Sequence, residues 1–487
     1  MKRYIIPLLF VLSFAIFISC NETVRPALTV NSTPSLFPDY VGVTVPSSVA
    51  PLNFRMADDS YDKIDVVVTG KNRTIHVQRD HSTFFSPRTW KKLLAENKGG
   101  KITLTVSAKR NGKWIRYASF PIYVSQFAID EGLVYRLIAP GYEAYGKMGI
   151  YERSLSSFRQ RTLIENTLVP NSCINCHSFQ ATNPDSYSFH ICGNYGATAL
   201  KLNDKTELFN MKNNASIGSY GYSYWHPTGE FIAYAVNKSQ RLYHVVRDKR
   251  VEVVDLASDI VLYDVKKNQL FSCPQLKSND AFETSPAFSP DGRSLYFCSA
   301  KARPLEQYAH IRYSLCRISF DPDKGIFGDK VDTLVNADKL FKSVSFPRPS
   351  YDGSYLMYTI SDYGNSSIWH READLRLIDL RTGSDRALSE VNSSDAESYH
   401  SWSSNSHWFV FSSRRIDGLY TRLYLASIDD KGRITKPFLL PQKDPDQNES
   451  SFYSFNLPEF VSGTVKMDTH QIQQQALSKE RRQMQDR

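Results

Sequence analysis

The chain has 487 residues, enough for two or three domains, and 13% of them are aromatic, enough to build a large core. It carries 59 lysines and arginines against 50 acidic residues, which gives a formal net charge of +9. The basic residues are scattered and form no continuous stripe, which argues against a nucleic-acid-binding protein.

The N-terminus has the pattern of an export signal. Lys2 and Arg3 precede an apolar run over residues 5–18, which is too short to span a bilayer comfortably. The run ends at a small residue followed by Cys20, as in bacterial lipoprotein signals, although Phe17 stands where leucine is more usual. We therefore predict a signal peptide over residues 1–19 and lipid attachment at Cys20. A plain secretory signal with an incidental cysteine is the alternative.

Two segments are predicted between the signal and the rest of the chain. Residues 20–38 are polar and are expected to form a tether. Residues 39–127 contain short alternating strands, such as 63–69 and 101–107, and one short helix near 86–96. This pattern predicts a small β-sandwich.

The rest of the chain repeats with a period of about 50–60 residues, as propeller blades do. A strand, a turn rich in Pro, Asp and Gly, and an apolar strand recur at 222–234, 284–297, 344–358 and, in degenerate form, 399–411. One four-stranded unit per repeat predicts an all-β protein with a β-propeller over residues 128–462. Six blades are the preferred count and seven the alternative. The polar tail, 463–487, is expected to be a loose helix or disordered.

One short motif indicates a cofactor. Cys173-Ile-Asn-Cys176-His177 is a C-x-x-C-H run, the spacing of covalent c-type haem attachment. It predicts one haem c, with thioether bonds from Cys173 and Cys176 and with His177 as the proximal iron ligand. Export supports this prediction, because c-type haem is attached outside the cytoplasmic membrane. The alternatives are a redox dithiol and half of a zinc site.

The second iron ligand is left open by the sequence. Residues 167–195 have a loop composition, so we expect a haem-binding insertion between early blades. Within it, His190 is the first candidate for the distal metal ligand, and Met148 is the second. Met211 and His226 are weaker candidates, and an open site is the remaining alternative. A strong second ligand suits electron transfer, whereas an open site suits gas binding or peroxide chemistry.

Further chemistry has little support in the sequence. Cys298 and Cys316 lie near the ends of two predicted neighbouring strands, which suggests a disulfide, with buried free thiols as the alternative. The chain has no G-x-S-x-G elbow, Walker loop or dinucleotide fingerprint. No catalytic residue is therefore predicted, and whether the protein is an enzyme stays open.

The repeats resemble a known family. The copy around Ser289-Pro-Asp-Gly292 is similar to the WD40-like (PD40) repeat of TolB-like propellers. The whole chain also resembles Bacteroidetes envelope lipoproteins that join such a propeller to one C-x-x-C-H run, with matches at 170–179 and at Phe189-His190. Cys192 departs from that pattern, in which an arginine is expected. The resemblance implies a lipid-anchored protein at the outer membrane, facing the periplasm or the cell surface.

These observations predict an envelope protein whose haem c exchanges electrons with a partner, such as a redox protein, docked on the propeller. The first alternative is a propeller that binds an envelope protein or glycan, with a structural haem or a redox dithiol. The second is a haem sensor or a peroxidase-like enzyme with an open iron site. The partners expected are thus a protein and a membrane, and not a nucleic acid.

Overall fold

A computed structural model describes residues 22–139, 146–202, 204–211, 217–246, 250–478 and 481–487. The predicted signal peptide and Cys20 lie outside the described residues. The fold is all-β, as predicted, with few and short helices. No helix in the described part of the chain is long and apolar enough to cross a membrane.

The N-terminal region is built on one sheet and one helix. Its main sheet has the order β1-β8-β7-β5-β6, with β9 paired to β7 and β3 paired to β9, and β2 pairs with β4 separately. The elements are β1 (Pro26–Thr29), β2 (Leu36–Phe37), β3 (Thr44–Val45), β4 (Arg55–Met56), β5 (Lys63–Thr69), β6 (Thr74–Asp80), α1 (Pro87–Glu96), β7 (Lys101–Arg110), β8 (Lys113–Arg116) and β9 (Phe120–Val124).

This region differs from the predicted β-sandwich. Trp90, Leu93 and Leu94 of α1 are fully buried and share one core with the main sheet. Their spacing places them on one face of the helix, so α1 supplies a layer that the prediction assigned to a second sheet. The predicted tether differs as well, because residues 26–29 pair with β8 and the Lys109 ammonium donates to the Glu22 carboxylate at 2.5 Å.

Residues 132–461 form six antiparallel four-stranded blades, which confirms the preferred blade count. The ring is closed by β33, a C-terminal strand that pairs with β10 and completes the first blade. The strands are β10 (Gly132–Ile138), β11 (Gly149–Ser154), β12 (Gln160–Glu165) and β33 (Ser454–Val461) in blade 1; β13 (Ile174–Phe179), β14 (Tyr187–Ile191), β15 (Ala197–Leu202) and β16 (Lys205–Asn210) in blade 2; β17 (Ser219–Trp225), β18 (Phe231–Tyr243), β19 (Val251–Asp264) and β20 (Gln269–Phe271) in blade 3.

The remaining blades follow the same plan. They contain β21 (Ala281–Phe288), β22 (Ser294–Lys301), β23 (Ser314–Asp321) and β24 (Ile326–Val335) in blade 4; β25 (Ser343–Pro349), β26 (Tyr355–Ser361), β27 (Asp374–Asp379) and β28 (Ser384–Ala387) in blade 5; β29 (Glu397–Trp402), β30 (Trp408–Ser413), β31 (Arg422–Ser427) and β32 (Phe438–Leu439) in blade 6. Short helices α2 (Ala337–Leu340) and α3 (Gln447–Ser450) and three 3-10 turns (Asn166–Leu168, Leu305–His310 and Ser367–Trp369) lie between strands.

In each of the six blades, the innermost strand, which is the one nearest the propeller axis, carries a β-bulge at the corresponding position. The pairing register shifts once in each, and the bulged residue has a φ between 43° and 54°. The six bulged residues are Leu457, Cys176, Tyr222, Ser285, Phe346 and Tyr399, from blade 1 to blade 6. A bulge re-aims the side chains on either side of it, so corresponding positions of the six strands can be compared directly.

The hairpin of β18 and β19 is longer than any other blade hairpin. Its strands pair from Phe231 opposite Asp264 out to Tyr243 opposite Val251. The outer half, residues 237–258, is called the arm below. The arm contacts two other blades, since Tyr313 of blade 4 donates to Asp255 at 2.9 Å and Tyr363 of blade 5 donates to Glu252 at 2.5 Å.

The C-terminal tail contains a helix, as one of the two predicted alternatives had it, but the helix is packed rather than loose, and the described part of the tail is not disordered. It forms α4 (Thr469–Ser478), β34 (Arg482–Gln483) and β35 (Gln485–Asp486). Ile472 and Ala476 of α4 are fully buried in the core of blades 1 and 2. The two short strands extend the outer edges of blades 2 and 3, where they pair with β16 and β20. The tail therefore ties three blades together across the point of ring closure.

Candidate functional site

The C-x-x-C-H run lies in a blade and not in an inserted loop. Ile174–Phe179 is β13, the innermost strand of blade 2, and His190 lies on the neighbouring strand, β14. The prolines and glycine that suggested a loop lie in the turns beside these strands. The haem-binding insertion predicted over residues 167–195 is therefore the first hairpin of blade 2 itself.

Both cysteines of the run face one cavity. The cavity has a volume of about 420 Å³ at one end of the propeller, and Cys173, Cys176 and Met148 line it. Cys173 forms a disulfide with Cys192, and the two Cα atoms are 5.1 Å apart. Cys176 is a free thiol, and burial raises its pKa above the usual value, with Arg136 acting in the opposite direction. The thiol is therefore protonated at neutral pH, which disfavours a reactive dithiol.

His177 lies away from this cavity. Its side chain is buried, only 5% exposed, and neither ring nitrogen has a partner at hydrogen-bonding geometry among the described residues. Burial, together with the charge of Arg136, lowers the pKa of His177 to about 3. The backbone of Val134 and Leu457 in blade 1 partly offsets that shift. The imidazole is thus neutral and packs against blade 1.

The blade symmetry explains this placement. The residue directly after the bulge is Pro458, His177, Ser223, Pro286, Pro347 and His400, from blade 1 to blade 6. His400 repeats the environment of His177, because burial lowers its pKa to about 3 and the backbone of the preceding blade, at Met357 and Phe346, offsets the shift. Blade 6 has no cysteine near this position. A buried histidine here is accounted for by packing between blades.

These observations test whether the residues fit a c-type haem. The two thiols face a common cavity, but one of them is in a disulfide and the imidazole of His177 faces the other way. Covalent haem c needs both thiols free and the histidine beneath the iron. The described arrangement does not fit a haem c ligated by His177.

The candidates for a second iron ligand are dispersed. Met148 is 6% exposed and shares the cavity with the thiols. His190 is half-buried opposite Asn175, with its Nδ1 3.3 Å from the hydroxyl of Thr198, and does not line the cavity. Met211 is buried in a hydrophobic core. The Nε2 of His226 is hydrogen-bonded to the backbone carbonyl of Gly292, 3.0 Å away. The described residues contain no group of three His, Cys, Asp or Glu side chains that could hold a metal ion.

The suggested disulfide between Cys298 and Cys316 is wrong. Both are free, buried thiols. Cys298 pairs with Leu315 and Cys316 with Phe297, so the two cysteines occupy adjacent cross-strand positions, and they belong to two different hydrophobic cores. Because side chains at successive strand positions point to opposite faces of a sheet, their sulfur atoms cannot meet.

Three arginines line the cavity that were not predicted from the sequence. Arg136 comes from blade 1, Arg241 from the arm, and Arg414 from the end of β30 in blade 6. The cavity lining includes no described aspartate or glutamate. Residues this far apart in the sequence have no shared motif, so only the ring closure of the propeller brings them together.

The most buried of the three arginines has spare donor capacity. Arg414 is 6% exposed, and its guanidinium donates to two backbone carbonyls, those of Ile368 at 3.2 Å and Gly418. Its Nε has no hydrogen-bond partner among the described residues, and the same holds for the Nε of Arg136, which donates through another nitrogen to Asn175. Burial lowers the pKa of Arg414, and the charges of Asp395 and Asp417 act in the opposite direction.

No protein-family model matches the chain, and no curated protein matches it. Among solved structures, a DUF4784 family protein from Bacteroides caccae is similar at 8% identity, over 74% of this chain and 96% of that chain, with a TM-score of 0.32. Prolyl oligopeptidase B from Galerina marginata is similar at 11% identity, over 62% of this chain and 44% of its own, with a TM-score of 0.34. A GH43 endo-arabinanase from Bacillus licheniformis gives 9% identity, 63% and 97% coverage, and a TM-score of 0.29. At TM-scores this low, these likenesses carry no argument about function.

Proposed function

We propose that the protein is a binding module whose propeller holds an amphiphilic organic anion in the cavity beside Cys176. One observation carries the proposal: Arg136, Arg241 and Arg414 converge there from three blades with no described carboxylate in the lining. Guanidinium groups recognise carboxylate and phosphate oxygens through paired hydrogen bonds. An unpaired buried donor costs free energy that an anionic ligand would recover.

The rest of the cavity sets the size and character of the ligand. A volume of about 420 Å³ suits a small molecule. Ile138, Val251 and Trp369 add apolar surface next to the arginines. The ligand therefore has an apolar body and an acidic group, and the arm, which supplies Arg241 and Val251, forms one wall around it.

A fluorescence titration tests this proposal. The probe is 8-anilinonaphthalene-1-sulfonate, an amphiphilic anion whose emission rises in apolar surroundings. We expect saturable binding at one site per chain, weakened at least fivefold by Arg241→Ala and by Arg136→Gln. Arg303→Ala, at an exposed arginine that does not line the cavity, is the matched control. Equal affinity in the wild type and both cavity variants would contradict the proposal.

Haem c remains the second candidate ligand, and one observation favours it. Cys173, Cys176 and Met148 share the cavity with the three arginines, which suit the carboxylates of a haem. This candidate requires the Cys173–Cys192 disulfide to open and the His177 ring to turn towards the cavity. The associated proposal is electron exchange with a partner docked on the propeller of a protein anchored at Cys20.

Optical spectroscopy of protein matured with a cytochrome c assembly system tests the haem candidate. Covalent haem gives a Soret band that survives denaturation and acid-acetone extraction, and Cys176→Ser weakens it. A low-spin spectrum lost in Met148→Leu would identify Met148 as the second ligand, and one lost in His190→Ala would identify His190. Absence of an extraction-resistant Soret band rejects the candidate, and the fluorescence titration then decides the first proposal alone.

A further inference from the structure

A second cavity lies on the other side of the bulges. It has a volume of about 240 Å³ and is lined by the side chains two positions after the bulged residues: Glu459, Ser178, Tyr224, Arg348 and Ser401. The corresponding residue of blade 4 is Ala287, which is fully buried. At this position, therefore, five of the six blades place a polar or aromatic residue at the cavity, and neither proposed ligand of the first cavity uses these residues.

The walls of this cavity are aromatic and fixed in place. Trp225 and Trp402 line it, and their indole N–H groups donate to the backbone carbonyls of Ser178 at 3.3 Å and Arg348 at 3.0 Å. Those hydrogen bonds hold the rings in place, and both tryptophans are only 3% exposed, so they form a rigid part of the cavity wall.

The cavity is lined by one acidic side chain, Glu459, and one basic side chain, Arg348. Glu459 accepts the backbone N–H of Phe179 at 2.9 Å. The guanidinium of Arg348 lies over the ring of Tyr224, 5.1 Å from its centre, and donates to the carbonyl of Pro347 at 2.9 Å. The Ser401 hydroxyl is buried without a partner among the described residues.

Charge selects the class of ligand. A cation would be repelled by Arg348, and an anion would be repelled by Glu459 whenever that carboxyl is ionised, so neither is favoured by both groups. A neutral molecule with several hydroxyl groups pairs with both, since hydroxyls accept from the guanidinium and donate to the carboxylate. Its carbon-bound hydrogens would contact the aromatic wall of the cavity.

We propose that this second cavity binds one sugar unit, free or at the end of a glycan, between Trp225, Trp402, Arg348 and Glu459. The volume is below that of typical drug-sized pockets, which limits the bound part to a small ring. Burial raises the pKa of Glu459 to about 7, with Arg348 acting in the opposite direction, so near neutral pH the carboxyl can also donate to a sugar oxygen. The site is separate from the arginine-lined cavity, and the proposal does not rest on the first one.

Saturation-transfer NMR tests the sugar site with glucose, galactose, mannose and N-acetylglucosamine as probes. We expect transfer to at least one sugar, together with a change in tryptophan fluorescence, and at least tenfold weaker binding in Arg348→Ala and Glu459→Gln. Glu283→Gln is the control, because Glu283 is also a buried carboxyl with a raised pKa but does not line the cavity.

Two results would overturn the proposal. One is the absence of transfer to all four sugars with folded wild-type protein. The other is binding of a sugar with unchanged affinity in the folded variants. If Arg348→Ala does not fold, the more conservative Glu459→Gln decides the question.

Discussion

His177 and His400 occupy the same position in blades 2 and 6, directly after the bulge of the innermost strand. In both, burial lowers the pKa of the imidazole to about 3, and the backbone of the preceding blade faces the ring. In blades 1, 4 and 5 the same position is a proline. A histidine that also occurs in a blade without a cysteine is accounted for by propeller geometry.

This equivalence predicts that proline is tolerated at both histidines. Proline normally costs about 3 kcal/mol or more inside regular structure, because it removes a backbone N–H. At this position three blades already lack that N–H, so His400→Pro and His177→Pro should each lower the free energy of unfolding by less than about 1.5 kcal/mol. Urea denaturation measures the change. Val410→Pro, in the middle of β30, is the control and should unfold the protein, whereas equal damage from all three substitutions would refute the equivalence.

The tail should contribute measurably to stability. Ile472 of α4 is fully buried against blades 1 and 2, so Ile472→Ala is expected to lower the free energy of unfolding by about 2–5 kcal/mol. Leu477 lies on the same helix but is 43% exposed, and Leu477→Ala should change it by less than about 0.5 kcal/mol. Thermal melting of both variants provides the comparison. If the tail were detached in solution, Ile472→Ala and Leu477→Ala would both change the stability by the same small amount.

A buried carboxyl predicts how stability depends on pH. Burial, followed by the charge of Asp259, raises the pKa of Glu283 from 4.5 to about 8. The folded protein therefore holds a proton that the unfolded chain releases above about pH 4.5. The contribution of this group to stability is fully present below that pH and is lost as the pH rises to about 8.

Urea denaturation at about pH 5 and about pH 8 measures this effect. Glu283→Gln should make the loss of stability between the two pH values smaller, because the amide does not ionise. Glu306→Gln, at an exposed position, should leave it unchanged. An equally steep loss in Glu283→Gln would show that other groups govern the pH dependence.

The arm should loosen when its contact with blade 5 is weakened. Tyr363 donates to Glu252 at 2.5 Å, and the Nε2 of His370 lies 3.6 Å from the other oxygen of that carboxylate. Because a carboxylate buried with two partners is costly to leave unpaired, Tyr363→Phe should speed amide hydrogen exchange in the arm. Tyr123→Phe, at an exposed tyrosine of the N-terminal region, is the control. Unchanged exchange in the arm would show that the hydrogen bond from Tyr363 to Glu252 does not hold the arm in place.

The propeller was predictable because its turns repeat. Ser289-Pro-Asp-Gly292 and its copies combine a turn that needs glycine at positive φ with apolar strands, and this local chemistry recurs in every clear repeat. Only residues 167–195, which include the first hairpin of blade 2, were predicted to be a loop, because the turns there are rich in proline, asparagine and glycine and the strands are short. The tail was predicted to be a loose helix or disordered because few of its residues are apolar, and two of them, Ile472 and Met484, pack against residues of distant blades.

The candidate sites were less predictable than the fold. The C-x-x-C-H spacing correctly singled out two thiols that face a cavity, but a linear motif does not contain the bulge that turns His177 towards blade 1. The arginines of the first cavity and the Arg348–Glu459 set of the second come from strands that meet only when the ring closes.

Peptide mass mapping of the exported protein, matured with a cytochrome c assembly system and digested without reduction, distinguishes a disulfide at the C-x-x-C-H run from a haem site. We expect a peptide pair joined by the Cys173–Cys192 disulfide, a Cys176 that is alkylated only after unfolding, and no haem mass on either peptide. Haem attached to both Cys173 and Cys176, with Cys192 free, would refute the disulfide and establish the C-x-x-C-H run as a haem site.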